Sequence, residues 1–138
     1  MDKKDKNYVW DNRKPTAQML GRWQPWHKGH TALFKKSLED VGQVCIMIRD
    51  VQNADAGMGN IDNPFHFKDV VEDIKKGLAA EGFIYEQEYI ILIVPNIINI
   101  SFGRGVGYTF TEHDLGEDIH AISATKIRKK LRDDGIIK

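Results

Sequence analysis

The sequence predicts an α/β fold, a central parallel sheet with helices on both faces, and three observations predict it. Residues 43–48 and 88–95 contain continuous apolar runs of strand length, rich in branched side chains, as strands buried on both faces of a parallel sheet do. Between and before them, apolar residues recur at helical spacing: Leu33, Phe34, Leu38 and Val41, then Phe67, Val70, Val71, Ile74 and Leu78. A length of 138 residues suits one domain with such a sheet and is short for two.

Residues 1–15 are polar and end in Lys14-Pro15, so an N-terminal arm is expected before a domain at 16–138; Tyr8, Val9 and Trp10 suit packing against a neighbour. Residues 17–20 read as a short buried strand, 21–30 as a loop, and 31–40 as the first helix. After the second strand, residues 51–63 carry Gly57, Gly59 and several Asn and Asp, a long loop of the kind that serves as a lid or binding loop. Asn63 is placed to cap a second helix with Pro64 in its first turn, ending near Gly82.

Residues 88–95 read as a fully buried third strand. Residues 100–102 suit a short strand, 103–107 a glycine-rich turn and 108–115 a last strand. The turn matches neither GxGxxG nor the P-loop pattern. Ser123 is a natural N-cap for a closing helix from Ala124, with Ile127 and Leu131 spaced to face the core and Thr125, Arg128 and Arg132 on another face. His66, His113 and His120 are expected at the surface.

Composition excludes several classes. Lys plus Arg and Asp plus Glu number 20 each, so no overall basic field argues for nucleic acid. A lone cysteine, Cys45, sits in an apolar run and permits neither a disulfide framework nor a cysteine metal site. No apolar run reaches membrane-spanning length and the charged N-terminus lacks a signal-like stretch, so no membrane partner and a cytoplasmic address are expected.

The chemistry concentrates in Gly21-Arg22-Trp23-Gln24-Pro25-Trp26-His27-Lys28-Gly29-His30, a strand-to-helix loop. Such a loop lies at the carboxyl end of a parallel strand, where ligands bind, and offers the unpaired N–H groups of a helix start to anions. His27 and His30 can both donate to phosphate oxygens there, and Gly29 leaves room for a ligand against the backbone. Arg49 and Asn96 end the second and third strands, so both point to the same crevice as acceptor-binding candidates. For Arg49 an ion pair with Asp50 or Asp55 is the competing expectation.

His27-Lys28-Gly29-His30 resembles the HxGH signature of the nucleotidyltransferase superfamily, and residues 122–128, Ile-Ser-Ala-Thr-Lys-Ile-Arg, resemble its ISxTxIR signature. The flanking GRWQPWHKGH and Asn63-Pro64-Phe65 are similar to archaeal nicotinamide-mononucleotide adenylyltransferases, over roughly residues 19–132. The resemblance implies a Rossmann-like domain and direct transfer of a nucleotidyl group from ATP or CTP to a small phosphate-bearing acceptor, with release of pyrophosphate. It implies His27, His30 and Arg128 as catalytic residues, and Gly21, Arg22, Trp23, Gly29, Gly103, Arg104, Ser123 and Thr125 as nucleotide contacts. Mg²⁺ is expected on the phosphates, with no protein metal site, and homo-oligomers are common among such proteins. Archaeal enzymes of this type stack a tryptophan on the pyridine ring, whereas residues 96–110 here contain none, so another phosphate or phosphonate monoester is equally compatible as acceptor. A nucleotide-binding module without turnover is the alternative from a different class.

Overall fold

The computed structural model describes residues 9–51, 65–104, 107–113, 115 and 124–135. Its elements run β1 (Ala17–Gly21), α1 (Lys28–Val41), β2 (Val44–Arg49), α2 (Phe67–Ala79), β3 (Tyr89–Val94) and α3 (Ala124–Asp133). The sheet is parallel with order β1-β2-β3, Met19 beside Ile46 and Ile46 beside Ile91. The chain thus steps the same way across the sheet twice. Right-handed crossovers taken in one direction set their helices on one face. The core agrees: Phe34 and Leu38 of α1 and Val70, Ile74 and Leu78 of α2 join Met19, Val44, Ile46, Ile48, Tyr89 and Ile91 in one buried cluster.

By alternation the opposite face carries Leu20, Met47 and Leu92 side by side. Contrary to the expectation from its apolar run, β3 is not fully buried: Leu92, on that opposite face, is 44% exposed, and Ile93, beside Ile48 on the core face, is 45% exposed. Val41, expected on the buried stripe of α1, is also exposed, because it occupies the last turn just before the left-handed Gly42 that ends the helix.

Both leading helices begin on a histidine, which shifts their predicted starts. α1 starts three residues early, at Lys28, because His27 is its N-cap. α2 starts at Phe67 with His66 as N-cap, its Nδ1 accepting the Lys68 N–H at 3.1 Å, and not at Pro64 behind Asn63; those two residues lie outside the described ones. Histidine is outside the usual set of capping residues. The described parts of 100–102 and 108–115 belong to no strand, and Ile98, Ile100, Phe102, Tyr108 and Phe110 are exposed. In α3 the buried residue is Arg128, while Ile127 and Leu131 are half-buried. His113 sits 3.7 Å from Asp40, a contact the sequence did not suggest; His120 lies outside the described residues.

The described part of the N-terminal segment is tied to the domain. Trp10 N–H donates to the Glu86 carbonyl, and the fully buried Gln43 amide donates to the carbonyl of Asp11 and to Thr16 Oγ1, both at 2.7 Å. Among the described residues no helix is long and apolar enough to cross a membrane.

Candidate active site

At the carboxyl end of β1 the chain turns sharply, and the turn is built from aromatic packing. Trp23 has φ 54°, a left-handed backbone uncommon for a bulky residue. It is held there from several sides. Its indole N–H donates to the Met47 carbonyl at 3.1 Å, and its ring meets the edge of His30 at a centroid distance of 4.7 Å. The ring also folds back over Gly21, where an added Cβ would come within 2.9 Å of Trp23 Cζ2. Gly21 is therefore required by the tryptophan itself. Trp26 packs on Gly77 of α2 and donates to Thr31 Oγ1 at 2.9 Å, fastening the loop to both helices.

The two histidines then cap α1 reciprocally. His27 Nδ1 accepts the Gly29 N–H at 3.0 Å, and His30 Nδ1 accepts the His27 N–H at 3.1 Å. This is the capping-box arrangement with histidine at both ends. Because each Nδ1 accepts a backbone proton, each neutral ring carries its own proton on Nε2. The rings stack at 3.6 Å between centroids. Burial, and then the neighbouring His27, push the His30 pKa down to about 3; burial lowers that of His27 too. Both rings are thus neutral hydrogen-bond donors at neutral pH, with no charge of their own to desolvate.

A cavity of about 200 Å³ opens beside this loop, lined by Gly21, Arg22, Trp23, Gln24, His30 and Arg128. Arg128 is 3% exposed and reaches it from α3, donating to the Gln24 carbonyl at 2.6 Å. His30 and Arg128, one from each signature, so line one cavity. Gly29 is buried, its N–H spent on His27. Thr125 falls in the first turn of α3, but its side chain and all of Ser123 lie outside the described residues. Gly103 and Arg104 are exposed and do not line the cavity, and a Cβ at Gly103 would meet open space.

Arg49 and Asn96 come together at the ends of β2 and β3. The Arg49 guanidinium donates through Nε and Nη2 to Asn96 Oδ1, at 3.3 and 2.9 Å. Among the described residues Arg49 forms no salt bridge, so the competing pairing with Asp50 is not made; Asp55 lies outside the described residues.

No protein-family model matches the chain. Among curated proteins it is similar to nicotinamide-nucleotide adenylyltransferases of archaea. It is 37% identical to that of Ignicoccus hospitalis over 82 residues, covering 59% of this chain and 45% of the relative. It is 28% identical to that of Methanococcus maripaludis over 137 residues, covering 85% and 78%. A crystal structure of a bifunctional NMN adenylyltransferase/ADP ribose pyrophosphatase from Francisella tularensis, complexed with AMP and a manganese ion, matches with a TM-score of 0.50 and 27% identity. That match covers 59% of this chain and 23% of the other.

The chain is thus similar to nicotinamide-nucleotide adenylyltransferases over most of its length. In several of its matches to archaeal relatives the chain spans under half the relative's length, for example 45% and 38%. Gln24 and Trp26 are the site residues the sequence reading missed. Their roles depend on contacts with α2 and with Phe65, which no local pattern encodes.

Proposed function

We propose that this chain is a nucleotidyltransferase that moves the adenylyl group of ATP to a small phosphate-bearing acceptor and releases pyrophosphate. The observation that supports it is the meeting of His30 and Arg128 in one cavity at the carboxyl end of a parallel sheet. A binding module needs an anion site; it has no evident use for a tautomer-locked donor and a buried arginine lining one cavity, with a second tautomer-locked histidine stacked on the first.

In this reading an acceptor phosphate oxygen attacks the α-phosphorus in line, the bond from α-phosphorus to the bridging oxygen breaks, and pyrophosphate leaves with the electron pair. The acceptor is already ionised, so no general base is needed. His30 and His27 donate from Nε2 to phosphate oxygens and stabilise charge as it develops. Arg128, with Ser123 and Thr125 at the start of α3, holds the leaving pyrophosphate, and Arg22 the nucleotide phosphates. Arg49, steadied by Asn96, is assigned to the acceptor. Gly103 and Arg104 remain candidate nucleotide contacts from the glycine-rich turn.

The cavity presents donors from Arg22, His30 and Arg128 and no carboxylate among its lining residues. Such a donor set fits a Mg²⁺ carried in on phosphate oxygens and water, where it would neutralise phosphate charge. The test is release of pyrophosphate from ATP or CTP with Mg²⁺, with nicotinamide mononucleotide as first acceptor, since the relatives are named for it, followed by other phosphate and phosphonate monoesters. Release from ATP with one acceptor supports the proposal. Release from CTP alone moves the donor to cytidylyl transfer, and no release with any acceptor leaves the binding module.

A further inference from the structure

Gln24 holds a position that none of the roles above explains. It is 4% exposed, in the first-motif loop, yet its side chain faces neither histidine for a hydrogen bond. Its amide pairs with one distant residue on both sides: Nε2 donates to the Phe65 carbonyl at 3.0 Å, and Oε1 accepts the Phe65 N–H at 2.9 Å. Phe65 stands immediately before His66, the N-cap of α2, and packs on the core. Two opposed hydrogen bonds to one backbone fix the rotation of the amide, because exchanging its oxygen and nitrogen would oppose donor to donor and acceptor to acceptor.

The main chain of the same residue does a second task. The Gln24 carbonyl accepts from Arg128 Nη1 at 2.6 Å. One residue therefore joins the loop carrying the histidines, the entry to α2 and the arginine of α3.

We infer that Gln24 is a positioning residue: by gripping Phe65 it fixes the direction of its own carbonyl, and that carbonyl sets where the Arg128 guanidinium stands relative to His30 in the phosphate cleft. The inference rests on the cleft being a phosphate site. With the grip lost, the loop retains its sequence but the carbonyl is free to turn, and Arg128 loses a fixed acceptor at Gln24. Gln24 touches no phosphate in this account. Its effect runs through Arg128.

The test uses inorganic pyrophosphate with Mg²⁺ as probe and calorimetry as readout, on the intact chain, Gln24→Met, Arg128→Ala and the double variant. Met keeps the shape of Gln and removes both hydrogen bonds. Gln24→Asn, one methylene short of Phe65, serves as the second variant should the buried thioether prevent folding, with the fold checked by circular dichroism. The expected result is pyrophosphate affinity about tenfold weaker for Gln24→Met, and a double variant no weaker than Arg128→Ala alone, the signature of two residues acting as a unit. An intact chain that binds pyrophosphate while Gln24→Met and Gln24→Asn bind it equally well overturns the inference alone. So does a double variant whose loss is the product of the two single losses, since Gln24 would then act independently of Arg128. An intact chain that fails to bind pyrophosphate overturns the phosphate-cleft reading and the inference with it.

Discussion

His27 and His30 each have two ring nitrogens and divide them between two tasks. Nδ1 builds the helix start, and in the proposed function Nε2 donates to phosphate. Substitutions therefore separate structure from chemistry according to which atom they preserve. His30→Gln places a glutamine at N3, the position from which that side chain ordinarily reaches back to the N-cap N–H. Its folding should stay close to that of the parent while turnover falls, because the donor at the ring's far edge is gone. His30→Ala should lower turnover by a factor of about 10²–10³, the usual loss for one preorganised donor at a developing charge, and affect the KM for nucleotide less. Steady-state kinetics of the two variants decide this; unchanged turnover in His30→Ala would remove the histidine from the chemistry. These side chains were legible in the sequence because their spacing is local. Gln24 was not, since its partners are 41 and 104 residues away.

Among the elements, β1 and the turn after it are the most constrained by packing. Gly21 lies under the Trp23 indole, and any Cβ there meets the ring. Gly21→Ala should push the ring off the strand, strain its hydrogen bond to the Met47 carbonyl and disturb its edge contact with His30. A cost of about 1–3 kcal/mol is expected, as for other overpacked sites, read as a lower denaturant midpoint with unchanged slope. Gly103→Ala is the control: open space around that position leaves nothing to strain. The elements themselves were readable where a period of two or 3.6 coincided with burial, as in β2 and α2. They were misread where the partner decides. Ile98, Ile100 and Phe102 alternate as a strand would, but alternation supplies a face and not a neighbour to pair with. Helix starts were missed for a chemical reason, since the capping acceptor is an imidazole nitrogen in both cases.

For the molecule as a whole, the histidines make stability depend on pH in a direction that follows from their burial. In the unfolded chain each titrates near about 6.5. In the fold His30 is held neutral down to about 3, and His27 is shifted the same way. Below the unfolded value the unfolded chain therefore binds more protons than the native one, and the stability present above it is lost progressively as pH falls towards the folded value. The slope is at most about 1.4 kcal/mol per pH unit for each proton difference, large enough to measure by denaturant titration. Asp73 works against this trend, its carboxyl raised first by burial, but only within the carboxylate range. Between neutrality and that range the histidines dominate. The intact chain should thus lose stability steadily from about pH 7 to about pH 5, and His30→Gln, which keeps the cap and removes the titrating ring, should show a visibly flatter profile. Bound phosphate should oppose the loss, because an anion at Nε2 stabilises the protonated ring and raises its pKa. A parent profile that is flat over this interval, or parallel to that of His30→Gln, would show that His30 titrates in the fold much as it does in the unfolded chain, so that burial does not hold it neutral.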